Sequence, residues 1–407
     1  MKILIVDDLQ SRYDKISQII REIYFSCQIN VVSNAQNAKS LLVDHEFDLV
    51  VVDLNLPNMP GDEATAQAGI SLLKELNKNS RYKKPFLSLG ITSYDENFES
   101  NASELRLQNT YLIKYDSVSD DWIQVIRFSI YNIKKMRSNT LDMLFFTSIS
   151  AEESAVLRLD GISWMPRKIK INDYFSYSRG KIILNQKEYS VGCIKSPRVG
   201  MIESAIATSF ALKELRPRLS IMVGICAGVK KDVNLGDVII SSESWDWQSG
   251  KLIVQSGENI LAIAPDAIKI GEVMRNSIEN LITSLKTKSS LANLQLLHPD
   301  ASNNVSSQIF FAPTVSGSAV VANPSIIENI KGQHRKILGI DMEIFGFFAA
   351  HRANSLNGND FLAIKSVSDF GDGDKDDRFH QYSSQISALV GFELSCSLLL
   401  DTDSAND

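Results

Sequence analysis

Five residues in the first third of the chain share a placement that invites chemistry. Asp7 and Asp8 follow the apolar run "ILIV" (3–6), Asp53 falls within "DLVVVDL" (48–54), Thr92 follows "PFLSLGI" (85–91) and Lys114 follows "TYLI" (110–113). If these runs are neighbouring parallel strands, their carboxyl ends converge on one crevice. Three carboxylates gathered there repel one another unless a cation lies between them, and hard oxygen donors with room for water suit Mg²⁺. A hydroxyl and an ammonium group on flanking strands could then clasp a phosphoryl group.

A second set of candidates lies in the later part of the chain. The stretch "KSVSDFGDGDKDD" (365–377) follows an apolar strand-like run and is crowded with carboxylates. Asp372, Asp374 and Asp376 have the spacing of a calcium loop, but Asp377 and Ser383 stand where that loop requires Gly and Glu. Calcium is therefore excluded. Asp369 differs from its neighbours because it ends the strand directly, beside Ser368; the other four read as a solvated loop or lid.

"VGICAGVKKDVNLGDVIIS" (223–241) sets Gly224, Ala227 and Gly228 just after "LSIMV". Small residues there let backbone approach a ligand, though a packing turn has the same composition. In "GIDMEIFGFFAAHRAN" (339–354), Glu343 sits among Met342, Phe345, Phe347 and Phe348. A carboxylate at a helix start is favoured by the helix dipole, and could equally accept from a sugar diol. Glu152 and Glu153, in "SAEESAVLRLDG" (150–161), either open a helix or serve a site.

The elements that must position these residues follow from the apolar pattern. Short continuous apolar runs alternate with amphipathic stretches such as 10–24, 34–44 and 119–137. This predicts a doubly wound, five-stranded parallel α/β domain over 1–138. A polar, basic linker is expected at about 135–141. A larger α/β domain with a central mixed sheet is expected over 139–407. Its strand candidates include "KIIL", "YSVGCIK", "LSIMVGI", "DVIISS", "KLIVQ", "QIFFAP" and "FLAIKSV". Its helix candidates are 200–215, 266–287, 341–354 and 380–400. Residues 288–308 read as a loop or cover, and the tail "DTDSAND" as disordered.

The 407 residues are 44% hydrophobic and 22% charged, with a net charge of −6, which gives no general attraction to nucleic acid or anionic membrane. The four cysteines form no CxxC or zinc pattern. No signal peptide or run approaching a membrane span is evident, so a reducing, cytoplasmic location is expected.

The first set resembles the receiver domain of bacterial response regulators, through "VDD" (6–8), "DLNLP" (53–57), Thr92 and "YLIK" (111–114). The resemblance implies that Asp53 accepts phosphate from a histidine kinase or phosphotransfer partner. Asp8, Asp53 and the Asn55 carbonyl would hold Mg²⁺ with support from Asp7. Lys114 and Thr92 would contact the phosphoryl group, and Tyr111 would swing as Thr92 moves. Tyr115 replaces the proline usual after the lysine, and the loop after Pro57 is longer than usual.

The later segments "GICAGV…NLGDV", "DMEIFGF" and "VSDFGD" resemble the purine nucleoside phosphorylase/nucleosidase superfamily. That resemblance implies that Asp369 meets purine N7, with Ser368 orienting the base. Glu343 and Met342 would contact ribose, and Glu153 matches the position that activates water. Cys226, before Ala227 and Gly228, sits where relatives often have serine. Val320 falls where nucleosidases often place an aromatic. Breaking an N-glycosidic bond calls for an acid at the base and a base at the water, as in glycoside hydrolysis. Arg198 is the one candidate for binding inorganic phosphate, and Glu153 would repel it, so hydrolysis is favoured over phosphorolysis. No cofactor is needed for that cleavage.

A receiver fused to such a domain resembles the effector of Detocs-type anti-phage defence. This implies cleavage of a purine nucleotide, ATP, to adenine and ribose 5′-triphosphate by a homo-oligomer under phosphorelay control. Arg167, Lys168, Lys170, Lys195 and Arg198 offer cations for a triphosphate, or form a solvated basic face. The alternatives are a methylthioadenosine/S-adenosylhomocysteine-type nucleosidase, a purine nucleoside phosphorylase, or a nucleotide sensor without turnover.

Overall fold

The structure, a computed structural model, describes residues 1–407 except 26, 80, 94–109, 117, 139, 256–257, 286–287, 296, 301–305, 355–359, 372–376 and 405–407. It divides into two compact units, residues 1–138 and 139–407.

In the first unit β1 (Lys2–Val6), α1 (Gln10–Ile23), β2 (Gln28–Val32), α2 (Ala35–Asp44), β3 (Leu49–Asp53), α3 (Ala66–Lys78), β4 (Leu87–Thr92), β5 (Thr110–Lys114) and α4 (Asp121–Ser138) follow one another. The strands form a parallel sheet in the order β2-β1-β3-β4-β5. Alternate side chains explain why both faces are covered. Leu4, Val6, Val50 and Val52 pack with Ala38, Leu42, Leu72, Leu73 and Leu76 of α2 and α3. Ile3, Ile5, Leu49, Val51, Leu89 and Ile91 pack with Ile16, Ile20, Ile126 and Ile130 of α1 and α4. The order of strand addition reverses between β1 and β3, and in such sheets that switch point is where the carboxyl ends open a crevice.

The second unit runs β6 (Met143–Thr147), α5 (Ser150–Leu157), β7 (Ser163–Trp164), β8 (Ile169–Lys170), β9 (Ser176–Leu184), β10 (Lys187–Lys195), α6 (Met201–Leu215), β11 (Leu219–Gly228) and β12 (Val238–Asp246). It continues with β13 (Gly250–Gln255), β14 (Glu258–Ile263), β15 (Ile268–Lys269), α7 (Glu272–Leu285), α8 (Ser289–Gln295), β16 (Ile309–Ser316) and α9 (Pro324–Gln333). It closes with β17 (Gly339–Asp341), α10 (Ile344–Ala353), β18 (Asp360–Asp369) and α11 (Asp377–Ser404). A mixed sheet runs β15-β12-β16-β17-β11-β6-β10-β9-β7, with β18 pairing β11 and β12 and β8 pairing β9. β13 and β14 form a separate hairpin, so "KLIVQ" is a strand outside the main sheet.

Two expectations are corrected. Part of the supposed loop at 288–308 is the helix α8. The supposed disordered tail is helical as far as Ser404. The reason is a clasp: Asp403 accepts from Arg218 at 2.7 Å, Tyr189 at 2.6 Å and Lys187 at 2.5 Å. By length and composition, residues 378–404 also suffice to cross a membrane, which no single apolar run in the sequence suggested. But 72% of the most apolar window is buried inside the fold, where Ile386, Val390 and Leu394 join the core. This is a core helix.

Candidate functional site

In the first unit the three strand-end aspartates gather as the pattern predicts. Asp7 and Asp53 are buried, Asp8 is exposed, and each brings an oxygen within 4.8 Å of the others. Three carboxylate oxygens with one side open to water fit Mg²⁺. Asn55, half-buried on the rim, donates its amide to Asp53 Oδ1 at 3.3 Å. Thr92 is buried, Lys114 lies in register with it on β5, and Tyr111 is 57% exposed.

One residue here was not foreseen. Arg12 of α1 reaches into the carboxylates: its Nε lies 2.6 Å from Asp7 Oδ2, and its Nη2 contacts both Asp7 Oδ1 and Asp53 Oδ2. Burial pushes the Asp53 carboxyl up to about 7, with Arg12 opposing the shift and Asp7 adding to it. The sequence carried a signal for this cation, because Arg12 shares the buried stripe of α1 with Ile16, Ile19 and Ile20. Tyr115, standing where a proline was expected, packs against Trp122 at 5.0 Å and donates its amide to Thr92 O at 2.7 Å.

In the second unit a cavity of about 250 Å³ opens where β11, β17 and β18 end and α10 begins. Among the predicted residues, Asp369, Ser368, Glu343, Met342, Cys226, Ala227 and Val320 line it. β11 and β18 run parallel with Gly224 opposite Lys365 and Cys226 opposite Val367, then shift by one so that Ala227 faces Asp369. That irregularity leaves Ser368 unpaired on the ladder and turns both it and Asp369 to the cavity; bulges re-aim side chains in this way. Asp369 is then fixed by Ser368 Oγ at 3.0 Å and the Gly371 amide at 2.9 Å.

Beneath the cavity lies a buried charge cluster. Lys365, 1% exposed, is 3.1 Å from Glu343 Oε2 and 3.5 Å from Asp341 Oδ2. Asp341 accepts from Ser316 Oγ at 2.6 Å and from the amides of Glu343 and Ile344, which pins the start of α10. Glu343 also accepts from the Gly200 amide at 3.2 Å, next to α6. Burial pushes Asp341 up to about 6; Lys365 opposes this and Glu343 adds to it. Burial would lower Lys365, but Glu343, Glu152 and Asp341 outweigh it and hold the ammonium charged.

The adjacent glutamates separate here. Glu152, not Glu153, lines the cavity. It accepts from the amides of Ser148 at 2.7 Å, Ile149 at 3.1 Å and Ile225 at 3.0 Å. Gly224 makes this reach possible, since a Cβ there would collide with the Glu152 carboxylate. Burial raises the Glu152 carboxyl, with Lys365 opposing. Glu153 instead turns outward to Lys168 at 2.5 Å. The reason is helix phase: Glu152 shares the inward face of α5 with Ala155 and Val156.

Other expected residues are not brought to the cavity. Arg198 is exposed and does not line it, although its neighbour Val199 does. Gly228 packs against Val367 and Val233. Lys170 pairs with Asp173 at 2.6 Å. Asp372, Asp374 and Asp376 lie outside the described residues. Lys365, Asp341 and His380 belong to the site or its floor and were missed, and Glu152, weighed together with Glu153, was passed over in its favour. Lys365 carried a related signal, a cation at a position where the surrounding pattern, here an apolar strand, calls for a buried residue.

Comparison with known proteins agrees with this architecture. The chain is 27% identical to the uncharacterized protein y4jS of Sinorhizobium fredii, over 96% of this chain and 97% of that one. It is 28% identical to the ATP nucleosidase Cap17 of Escherichia coli over 47% of this chain, a match that spans only 38% of that protein's length. It is 25% identical to the 5′-methylthioadenosine/S-adenosylhomocysteine nucleosidase of Desulfotalea psychrophila, over 42% of this chain and 63% of that one. Residues 3–102 match the response regulator receiver domain and residues 151–399 match the phosphorylase superfamily. The chain thus belongs to the phosphorylase superfamily, and joins that N-glycosidase domain to a response regulator receiver domain.

Proposed function

We propose that this protein is a phosphorylation-controlled nucleosidase that hydrolyses the N-glycosidic bond of a purine nucleotide, ATP to adenine and ribose 5′-triphosphate, in anti-phage defence. The observation that carries hydrolysis is the charge of the cavity. Glu152, Asp341, Glu343 and Asp369 line it, Lys365 answers them from below, and among the described residues no arginine lines it. Such a site favours the positive charge that develops on the sugar and disfavours inorganic phosphate. ATP as the substrate is favoured by the likeness to an ATP nucleosidase, and the defence role rests on the resemblance of a receiver–nucleosidase fusion to Detocs-type effectors.

The residues divide the work as follows. Asp369 meets N7 of the leaving base and supplies or shares a proton there. Glu343 accepts from the ribose hydroxyls. Glu152, held by three amides, takes the proton of the attacking water. Lys365 fixes the Glu343 and Asp341 carboxylates so that the sugar face is preorganised. Asp53 receives the phosphoryl group from a histidine kinase or phosphotransfer protein, with Mg²⁺ held by Asp7, Asp8, Asp53 and Asn55, and this shifts the population of active molecules in a homo-oligomer.

A second reading, a methylthioadenosine-type nucleosidase, is favoured by the apolar Val199, Val320 and Val321 of the lining. The test is to incubate the purified chain with ATP or methylthioadenosine, with and without inorganic phosphate, and follow adenine. Adenine from ATP at a rate independent of phosphate is expected. Adenine from methylthioadenosine alone selects the second reading, phosphate dependence means phosphorolysis, and no adenine from either leaves a sensor.

A further inference from the structure

We propose that Arg12 is the resident counter-ion of the phosphoacceptor pocket and competes with the divalent cation, which must evict its guanidinium from Asp53 in order to bind. The inference rests on reading Asp7, Asp8 and Asp53 as the acceptor pocket, and not on any substrate of the second unit.

The geometry sets the competition. The Arg12 fork places Nε 2.6 Å from Asp7 Oδ2 and Nη2 3.0 Å from Asp7 Oδ1, and Nη2 also pairs with Asp53 Oδ2. These are oxygens a metal would need. Mg²⁺ demands near-octahedral ligands at about 2.1 Å and retains several waters, so it needs the space beside Asp53 Oδ2 that the guanidinium fills, and two cations held against the same carboxylates repel each other. Electrostatics points the same way. Asp7 and Asp53 are only 1% and 2% exposed, and buried carboxylates without a cation are strongly unfavourable. Arg12 supplies the missing charge in the metal-free protein. Charge-assisted, forked pairing of this kind is among the stronger polar contacts in proteins.

The guanidinium has further partners. Its Nη1 lies 3.3 Å from Ser93 Oγ, directly after Thr92, and its carbon lies 5.7 Å from the ring of Tyr115, directly after Lys114. The same cation therefore touches α1, the carboxylates and the ends of β4 and β5. Metal entry alters all of these contacts together. Tyr115 in place of proline provides an aromatic face on which an arginine can rest.

The test is calorimetric titration of MgCl₂ into the full chain, freed of metal beforehand. Arg12→Met should bind Mg²⁺ more tightly than the native protein, by a factor roughly within the 5- to 150-fold usual for coupled sites. Without metal it should melt at a lower temperature than the native protein, and Mg²⁺ should raise its melting temperature by more. Asp53→Asn should weaken Mg²⁺ binding in both backgrounds. If Arg12→Met does not fold, Arg12→Gln, which keeps a donor but no charge, is read in the same way. Equal or weaker Mg²⁺ binding by the uncharged variant, with Asp53→Asn still weakening it, overturns the role of Arg12 while leaving the acceptor pocket intact. No Mg²⁺ binding by any of the proteins overturns both.

Discussion

The two glutamates at 152 and 153 show how much one residue of helix phase decides. Glu152→Gln should lower adenine release by about 10²-fold or more, the usual scale for losing a general base, whereas Glu153→Gln should leave it within a fewfold of native; steady-state rates on one substrate check both. Lys365 is the residue on which stability and the site converge. Lys365→Met strands Glu343 and Asp341 as buried, unpaired carboxylates, so the second unit should lose about 3–5 kcal/mol, measured by urea unfolding, and adenine release should fall with it. Neither Lys365 nor Arg12 was recognised from the sequence as part of a site. Each looks like a misplaced cation in an apolar pattern, and part of its pairing comes from another element: Asp53 of β3 for Arg12, and Asp341 of β17 with Glu343 for Lys365. Asp369, Glu343 and the strand-end aspartates were legible because the site takes them from the ends of elements, where apolar runs stop visibly.

At the scale of elements, the strands of the first unit were readable because each is a short apolar run covered on both faces. In the second unit, two- and three-residue strands such as β7, β8, β15 and β17 lack enough residues to show a period. β17 still matters, since it carries Asp341 to the floor of the cavity. α10 is held on α6 by close approach: a Cβ at Gly346 would collide with the backbone of Met201. The same helix carries a buried weak point. His351 stacks on Phe361 at 4.5 Å, and burial lowers its pKa to about 3 from 6.5. The unfolded chain takes up a proton below about pH 6.5 and the folded chain does not until near pH 3, so this group's stability is lost as pH falls. Asp341 acts oppositely: raised to about 6 from 3.8, it favours the fold at low pH and loses that contribution as pH rises from about 4 to 6. His351→Phe should isolate the second effect. Between pH 7 and pH 5, the stability change of the variant should differ from that of the native protein by about 2 kcal/mol, measured by urea unfolding at both pH values.

At the scale of the molecule, a receiver and an N-glycosidase domain share one chain, and the proposed control requires that the state of Asp53 be felt in the second unit. Phosphodonor treatment should change the rate of adenine release in the native protein, and Asp53→Ala should abolish that change while leaving the fold intact by circular dichroism; a response that survives the substitution refutes the switch. The order of synthesis gives β18 one more consequence. The receiver's strands and helices are complete by Ser138, whereas β11 finds its parallel neighbour β18 only after more than a hundred further residues. Such distant pairing is slow to form. At ordinary ribosomal rates the second unit would remain open for on the order of tens of seconds after the receiver has folded. Asp369 and Lys365 both arrive with that late strand, so a nascent chain completes its cavity and the cation beneath it only after the receiver has already been made.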